Sequence, residues 1–297
     1  MRSSEHGSFR VDVHAVRAVA VVLVVVYHLG VGWFPGGFVG VDAFFVVSGF
    51  LITRQLSREL ECRGRVSVLA FWARRVRRLA PSALIVLAVT GAAALALYPK
   101  EDWPKLGAQF AGSVGSVENW VLAASRTDYL AAGTPSTPFE HFWSLGVEEQ
   151  FYIVWPILLL LIWRFAPRRP PLMWAVGAAT GASLVGSVLL TALEPAAAYF
   201  WPYTRAWEFG AGALLALLGP QAGAFLPLAS QTRAGAALLG WASLIAAGVL
   251  LSPGLPYPGI LAAIPVVATA LIIAAGAQTG VLGSVLRWRS PVPTRTR

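Results

Sequence analysis

The sequence predicts an all-α fold, a polytopic transmembrane helical bundle of about eight spans with one further re-entrant or surface segment. Hydrophobic residues occupy 57% of the 297 positions and charged residues only 12%, about half the charged fraction of an ordinary soluble domain. Several apolar runs reach the ~20 residues that cross the hydrocarbon core of a bilayer. Short polar breaks separate these runs, whereas a soluble protein of this length would fold around one or two cores.

The apolar runs locate the individual spans. The predicted bounds are Val13–Gly30, Phe38–Thr53, Leu79–Leu97, Trp143–Trp163, Leu172–Leu193, Tyr203–Leu218, Ala234–Leu251 and Gly259–Ala277. The first run leads into Gly and Pro rather than into a small-residue cleavage site, so it is expected to be a retained helix and not a signal peptide. A further segment, Leu106–Ala124, is only mildly apolar and contains Gln109, Glu118 and Asn119. The arginine clusters that follow it return to the cytoplasmic side only if this segment does not span, so the positive-inside rule favours a surface-lying or re-entrant segment.

The basic residues indicate the topology. Arginine accounts for 21 of the 23 basic residues, and most lie in clusters beside apolar runs, as cytoplasmic topology signals do. No aromatic-interleaved basic face of the kind found in RNA binders is present, so a nucleic-acid partner is excluded in spite of the net charge of +9. With a cytoplasmic N-terminus, the loop from Arg54 to Arg78 places eight arginines inside. We therefore expect a multi-pass protein of the inner (plasma) membrane with its N-terminus in the cytoplasm.

The chain is expected to hold one transmembrane domain over residues 1–286 and a polar cytoplasmic tail over residues 287–297. No soluble domain and no repeat of fixed period is visible in the sequence. Cys62 is the single cysteine, so an internal disulfide is impossible. The sequence predicts neither a bound cofactor nor a metal site.

Ionisable residues inside spans mark candidate functional positions, because each costs roughly 2.5–3.5 kcal/mol on insertion scales. Arg17 and His28 lie eleven residues apart on the first predicted helix, so they share one face about 16 Å apart along the axis. His28 suits a general base that takes a proton from a hydroxyl, or is a histidine satisfied by a neighbouring helix. Arg17 is either functional or a snorkelling side chain near the cytoplasmic end.

The second span, from Gly36 to Thr53, carries a carboxylate within a glycine-rich stretch that permits close helix packing. Asp42 would be costly without a partner, and His28 or Arg17 could supply one because the intervening loop is short. The alternative is a structural ion pair that fixes helix register. Ser48, in the same span, is predicted to contribute to substrate binding.

Four arginines fall within five positions in the block FWARRVRRLAP, which runs from Phe71 to Pro81. Arg75 and Arg78 are three residues apart near a predicted helix start, so their guanidinium groups can converge on a phosphate-rich ligand. A nucleotide-bearing thioester such as an acyl-CoA would fit. The alternative is that the block is only a topology signal.

The block from Phe139 to Pro156 holds two adjacent carboxylates. Glu148 lies seven residues after His141, so the two share a face if the helix extends back that far, and Glu149 shares a face with Tyr152 at i, i+3. These carboxylates are candidates for partners of a histidine. The aromatic residues of the block could equally form an interfacial belt.

Several of these blocks together resemble the acyltransferase family 3 of bacterial membrane proteins. The blocks are VRAVAVVLVVVYH, GFVGVDAFFVVSGFLIT, FWARRVRRLAP, FWSLGVEEQFYIVWP and TRAWEFGAGALLA, in this order, and the resemblance extends from about Asp12 to Ala277. It implies a protein that moves acetyl or other short acyl groups from cytoplasmic acyl-CoA to hydroxyls of extracytoplasmic glycans or glycosylated small molecules.

The resemblance also assigns roles to residues. The first-helix Arg and His of the family correspond to Arg17 and His28, its paired arginines to Arg75 and Arg78, and its acidic residue to Glu148 or Glu149. The family usually continues with a block like GRISYSLYLWHWP and two more helices, making ten, and some members carry an extracytoplasmic hydrolase-like domain. Because neither feature is present in this sequence, we expect a fragment or a product truncated at its C-terminus.

The sequence thus predicts a membrane acyltransferase whose partners are acyl-CoA, a glycan or glycoside acceptor and the lipid bilayer. The predicted catalytic residues are His28, Glu148, Glu149 and Asp42. The predicted donor-binding residues are Arg75, Arg78 and Arg17, and the predicted substrate-binding residues are His141, Trp143, Tyr152 and Ser48. A transporter or flippase of lipid-linked sugars and a non-catalytic truncated remnant are the alternatives, and the acceptor is left open.

Overall fold

The computed structural model describes residues 10–125, 127, 129–130, 137–165, 168–219 and 230–276. All regular secondary structure in these ranges is helical, and six of the helices are long and apolar enough to cross a membrane. The predicted all-α polytopic helical bundle is therefore confirmed. The predicted tail, residues 287–297, lies outside the described residues, so the predicted domain bounds stay a prediction.

Eleven α-helices follow one another in the described chain. They are α1 (Val11–His28), α2 (Gly40–Arg63), α3 (Val68–Leu97), α4 (Trp103–Val114), α5 (Glu118–Ala124), α6 (Phe142–Phe165), α7 (Arg169–Leu193), α8 (Pro195–Phe200), α9 (Pro202–Leu218), α10 (Ser230–Leu250) and α11 (Ala263–Ala275). Two short 3-10 turns, Gly37–Val39 and Lys100–Asp102, precede α2 and α4.

Six of the eight predicted spans coincide with helices of membrane-crossing length, namely α1, α2, α3, α6, α7 and α10. The other two coincide with shorter helices. Helix α9 has 17 residues and matches the predicted Tyr203–Leu218 closely, whereas α11 has 13 residues and is shorter than the predicted Gly259–Ala277. At 1.5 Å per residue, α11 covers only about 20 Å. It begins at Ala263 rather than at Gly259, because the preceding residues form turns around Pro258.

The predicted cytoplasmic loop from Arg54 to Arg78 is mostly helical. Helix α2 continues to Arg63 and α3 already begins at Val68, so only four residues separate them. Arg, Glu, Gln and Leu dominate this stretch and favour helix without being apolar. Gly64, with φ 67°, ends α2 in the left-handed conformation typical of helix C-termini. Ser67 caps α3 by accepting a hydrogen bond from the Ala70 amide at 3.4 Å.

The mildly apolar segment Leu106–Ala124 folds as two short helices joined by a turn. Helices α4 and α5 have 12 and 7 residues, and neither is long enough to span a bilayer. The three polar residues noted in the sequence, Gln109, Glu118 and Asn119, are all buried within the protein. The segment therefore does not span, as the placement of the arginines predicts.

The chain divides into two compact units, and the division falls inside α2. Within the described residues, the first unit comprises 10–47, 218–219, 230–251 and 264–276, and the second comprises the described residues between 48 and 217 together with 252–263. In the first unit, Arg10 Nη2 donates to the Ile273 carbonyl at 2.7 Å, and the Gly36 amide donates to the Gly248 carbonyl at 3.0 Å. These bonds join both ends of the α1 region to α10 and α11.

The second unit surrounds α6. Trp155 Nε1 of α6 donates to Thr53 Oγ1 of α2 at 2.7 Å, and both side chains are buried. A core of apolar side chains from α2, α3, α6, α7 and α9 packs around this bond. At the other end of α2, Arg169 holds Glu61 through two hydrogen bonds of 2.5 and 2.9 Å. Helix α6 is thus held to α2 at Trp155, and α7 is held to α2 at Glu61.

Candidate active site

Helix α6 directs its two adjacent carboxylates to different neighbours. Glu148 and Glu149 lie in the second turn of the helix, and consecutive side chains on an α-helix point about 100° apart. Glu148 contacts α2 and its own helix, whereas Glu149 contacts the turn between α4 and α5. The two carboxylates therefore have separate environments within the second unit.

Glu148 accepts two hydroxyl hydrogen bonds on one oxygen. Ser48 Oγ and Tyr152 Oη both donate to Glu148 Oε1. The two hydroxyl oxygens lie 3.3 Å apart, and Ser48 and Tyr152 are buried. The structure thus brings together three residues that the sequence named separately. Hydrogen bonds to a carboxylate are stronger than neutral ones, so this cluster fastens α2 to α6.

Arg75 lies over the same tyrosine. Its Cζ is 4.6 Å from the centroid of the Tyr152 ring and 5.5 Å from that of Phe71, within the range of cation–π attraction. Trp72, which lies three residues before Arg75 on α3, donates through Nε1 to the Tyr152 carbonyl at 3.0 Å. These contacts hold the half-buried guanidinium of Arg75 against α6.

A cavity of about 530 Å³ opens beside these residues, within the range of small-molecule sites. Its polar members include Arg75 from α3, Ser113 from α4, Ser116 from the α4–α5 turn, and Glu149 and Tyr152 from α6. Most of the remaining wall is apolar and comes from α3 and α6, including Leu79, Leu84, Leu87 and Ile153. The cavity therefore combines one cation, one carboxylate and an apolar surface.

Glu149 is held in this cavity by a residue that the sequence did not single out. Ser116 Oγ donates a hydrogen bond to Glu149 Oε2. Ser116 has a positive φ of 57°. The stretch GSVGSV, which ends at Val117, contains the small polar residues of a turn, but nothing in it indicates which hydroxyl meets a carboxylate on α6.

Arg78 and His141 lie away from these groups. Arg78 is exposed on α3 and does not line the cavity, so the structure does not show the predicted convergence of Arg75 and Arg78. Helix α6 begins at Phe142, so the helical face predicted to join His141 with Glu148 does not extend that far. His141 is exposed, with its ring 4.8 Å from that of Phe142.

Trp143 belongs to a buried cluster around Arg205. Arg205 Nη1 lies 2.8 Å from Glu208 Oε1, and both side chains are fully buried. The Arg205 Cζ lies 5.1–5.7 Å from the ring centroids of Trp143, Tyr199 and Tyr257. Both charged residues stand in the block TRAWEFGAGALLA, which the sequence identified without assigning them a role. The structure places Trp143 here rather than in the wall of the cavity.

The first unit holds the other three predicted residues. Arg17 is half-buried within α1, and Asp42 is fully buried in the first turn of α2. His28 ends α1 with an exposed side chain, and its Nδ1 lies 2.7 Å from the Val24 carbonyl. Because a carbonyl oxygen only accepts, Nδ1 donates and Nε2 of the neutral ring keeps its lone pair. This tautomer suits a group that takes up a proton at Nε2.

Another carboxyl group of the second unit, that of Glu118, is buried and has no hydrogen bond within the described part of the chain. Glu118 is 0% exposed, and among the described residues neither of its oxygens has a hydrogen-bond partner. Burial, together with the smaller effect of the neighbouring Glu140 charge, raises the pKa of Glu118 to about 8. Glu118 is thus protonated at neutral pH, so it adds no charge to this region. Among the described residues no cluster of three or more His, Cys, Asp or Glu side chains could hold a metal ion.

Comparison with known proteins places the chain in a family. Residues 10–291 match the family described as an acyltransferase domain, which is acyltransferase family 3. Peptidoglycan O-acetyltransferase OatA of Listeria monocytogenes is 35% identical over 215 residues, which cover 70% of this chain and 34% of that protein. YrhL of Bacillus subtilis, named provisionally for the same activity, is 32% identical over 223 residues, 73% of this chain and 34% of that protein.

The chain thus spans about a third of the length of these curated relatives. No solved structure matches it. The family match covers nearly the whole chain and agrees with the blocks on which the resemblance was based. This chain is therefore a multi-pass membrane protein that belongs to acyltransferase family 3.

Proposed function

We propose that this protein is a membrane O-acetyltransferase that moves an acetyl or other short acyl group from acyl-CoA to a hydroxyl of a peptidoglycan-like glycan. Membership of the acyltransferase family and the name of the Listeria relative support the reaction and the acceptor. The observation that carries the proposal is the cavity of the second unit, in which Arg75 and Glu149 face a common apolar space.

The donor is proposed to bind at Arg75. A guanidinium group pairs with phosphate oxygens through two parallel hydrogen bonds, and the half-buried position over Tyr152 limits its rotation. The apolar wall beside it suits the thioester end of the donor, which carries no charge. Arg78 and Arg17 remain predicted donor-binding residues, and Arg78 has an exposed position from which to meet a phosphate outside the cavity.

The transfer needs one general base. The acceptor hydroxyl oxygen attacks the thioester carbonyl, a C–O bond forms, the C–S bond breaks, and the CoA thiolate leaves and takes up a proton. The hydroxyl proton passes to the base, for which His28 and Glu149 are the two candidates. Glu148 is less suited, because its Oε1 already accepts two hydroxyl hydrogen bonds. Asp42 remains a predicted partner of the base.

Acetyl transfer can be measured with membranes that contain the protein, radiolabelled acetyl-CoA and soluble peptidoglycan fragments. We expect release of free CoA that depends on the added glycan. Arg75→Ala is expected to raise the KM for acetyl-CoA about 10- to 100-fold, the range for loss of a hydrogen bond to a charged group. Arg74→Ala is the matched control, because Arg74 is the exposed neighbour on the same helix and does not line the cavity.

The same assay separates the alternatives. His28→Ala and Glu149→Gln identify the base, since loss of the true base lowers kcat much more than loss of the other group. No glycan-dependent release of CoA by folded wild-type protein would contradict the proposed function. Movement of a lipid-linked sugar across the membrane without consumption of acetyl-CoA would point to a transporter instead.

We also propose a plasma-membrane location with a cytoplasmic N-terminus, since the arginine-rich ends of α2 and α3 then face inward. Cys62 is the single cysteine and lies exposed in this region, so it reports the orientation without any substitution. A membrane-impermeant maleimide is expected to label Cys62 in inverted vesicles and not in intact cells. Labelling in intact cells would reverse the proposed orientation.

A further inference from the structure

Ser116 has an unusual backbone conformation. Its φ of 57° lies in the left-handed region, and among the described residues every other positive φ belongs to glycine. A side chain in this region costs free energy, because its Cβ crowds the adjacent carbonyl oxygen. Such residues persist only where the surroundings fix them, and they occur preferentially at functional sites.

The surroundings of Ser116 fix the turn through side chains of α5 and α6. Gln150 Nε2 donates to the Ser116 carbonyl at 2.7 Å and to Asn119 Oδ1 at 2.9 Å. Asn119, which is fully buried, in turn donates to the Phe200 carbonyl at 3.2 Å. Trp120 Nε1 donates to the side-chain oxygen of Gln150, Oε1, at 3.1 Å. The turn is thus bound to the residue that directly follows Glu149.

Close approach of the turn to α6 depends on a glycine. A Cβ added to Gly146 would lie 3.1 Å from the Ser116 carbonyl oxygen and 3.3 Å from Asn119 Oδ1, tighter than ordinary contact. Gly146 lies three residues before Glu149, so both face the same side of α6. Because the α4–α5 turn packs against α6 at Gly146, the hydroxyl of Ser116 reaches the Glu149 carboxylate, which lies about one helical turn further along α6.

We propose that Ser116 is a positioning residue whose hydroxyl holds the Glu149 carboxylate in the reaction cavity, where Arg75 also lies. This inference rests on the proposed acetyl transfer. Glycine would adopt the same turn without strain, and Gly115 already stands beside it, so the hydroxyl is what serine adds at this position. The bond leaves Glu149 Oε1 for substrate and fixes the direction in which it points.

Three substitutions separate the hydroxyl from the backbone. Ser116→Gly removes the hydroxyl and relieves the strain, Ser116→Ala removes the hydroxyl and keeps the strain, and Ser116→Asn tolerates the left-handed conformation while restoring a hydrogen-bond donor. Ser125→Ala is the matched control, because Ser125 follows the last residue of α5 and, within the described part of the chain, its hydroxyl bonds to Leu122 and Thr127.

The Gly and Ala variants are each expected to lower kcat about 10- to 100-fold, as removal of a group that orients a metal ligand does. The KM for acetyl-CoA is expected to change less than about twofold, because Arg75 is untouched, and Ser116→Asn is expected to recover most of the loss. If the variants only weakened the fold, their kcat values would instead follow their thermal stabilities. The strained Ser116→Ala would then lose more activity than the more stable Ser116→Gly.

The decisive comparison is a double-mutant cycle with Glu149→Gln. If Ser116 acts through Glu149, adding Ser116→Gly to Glu149→Gln lowers kcat no further. A wild-type kcat for Ser116→Gly, or losses that multiply in the double variant, would overturn the inference while acetyl transfer by the wild type still stands. Absence of glycan-dependent transfer by the wild type would overturn the proposed function, and the inference with it.

Discussion

Tyr152 makes two separate contacts in the candidate site, and substitution can remove them one at a time. Its ring lies 4.6 Å below the Arg75 guanidinium carbon, and its hydroxyl donates to Glu148. Tyr152→Phe removes only the hydroxyl, whereas Tyr152→Leu removes the hydroxyl and the aromatic face. The bond from Trp72 reaches the main-chain carbonyl of Tyr152, so neither substitution deletes it.

The size of the effect follows from the cation–π contact. Such a contact is worth about 0.5–1 kcal/mol when exposed and about 2 kcal/mol when desolvated. At 1.4 kcal/mol per tenfold change, loss of the ring under the half-buried Arg75 is expected to raise the KM for acetyl-CoA about 2- to 30-fold. Tyr152→Phe keeps the aromatic face, so its KM is expected to stay within about twofold of the wild type.

The assay measures initial rates at increasing acetyl-CoA with saturating peptidoglycan fragments, together with the thermal unfolding midpoint of each variant in detergent. The two substitutions remove the same hydrogen bond to Glu148, so any difference in KM between them reports the ring alone. Equal KM values for Tyr152→Phe and Tyr152→Leu would refute the argument that this ring positions Arg75 for the donor.

The wild type is expected to lose thermal stability as the pH rises, and Glu118→Gln is expected to abolish this loss. The pKa of Glu118 is about 8 in the folded protein against 4.5 without burial, so between these values folding retains a proton that the unfolded chain releases, and stability falls as the pH rises. Glu61→Gln is expected to lower the free energy of unfolding by at most about 1 kcal/mol, since Glu61 and Arg169 are partly exposed. Gly146→Ala is expected to lower kcat as the Ser116 variants do, because the added methyl group displaces the turn.

Each of these predictions has its own control. Thermal unfolding from about pH 5 to about pH 9 tests Glu118, and parallel curves for the wild type and Glu118→Gln would contradict the assigned proton. For Glu61, the control is Glu59→Gln, whose pair with Arg63 is 3.9 Å long, and a loss well above about 1 kcal/mol for Glu61→Gln alone would contradict the prediction. Gly177→Ala controls for Gly146, because a Cβ at Gly177 meets open space.

The membrane-crossing helices were predictable because long apolar runs identify them, but their ends were not. The run that begins at Leu79 marks only the apolar part of α3, which starts at Val68. Arginine-rich sequence continues a helix as well as apolar sequence does, so hydropathy does not report where the backbone stops being helical. The opposite error occurred at α11, where turns around Pro258 shorten an otherwise apolar stretch.

The candidate site was predictable as a set of residues and only partly as an arrangement. The i, i+4 spacing places Tyr152 beside Glu148, but the contact of Ser48 with Glu148 joins residues 100 positions apart and depends on tertiary packing. Arg75 and Arg78 share a helix, yet only Arg75 faces the cavity, because packing against α6 decides which side of α3 is covered.

Ser116 was not predictable from the sequence. Its strained φ arises because Gln150 and the bare backbone at Gly146 hold the turn on α6, and none of these contacts follows from local spacing. Arg205 and Glu208 stand three residues apart in a block that the sequence did identify, so an ion pair on one helix face could have been proposed there.

We propose that the protein transfers an acetyl group from acetyl-CoA to a glycan hydroxyl through the cavity that holds Arg75 and Glu149. Mass spectrometry of peptidoglycan fragments incubated with acetyl-CoA and either wild-type or Glu149→Gln membranes tests it most directly. We expect an O-acetyl ester on the glycan with the wild type and a strong reduction with Glu149→Gln. Equal acetylation by both would contradict the assigned cavity, and no ester with folded wild-type protein would contradict the transfer itself.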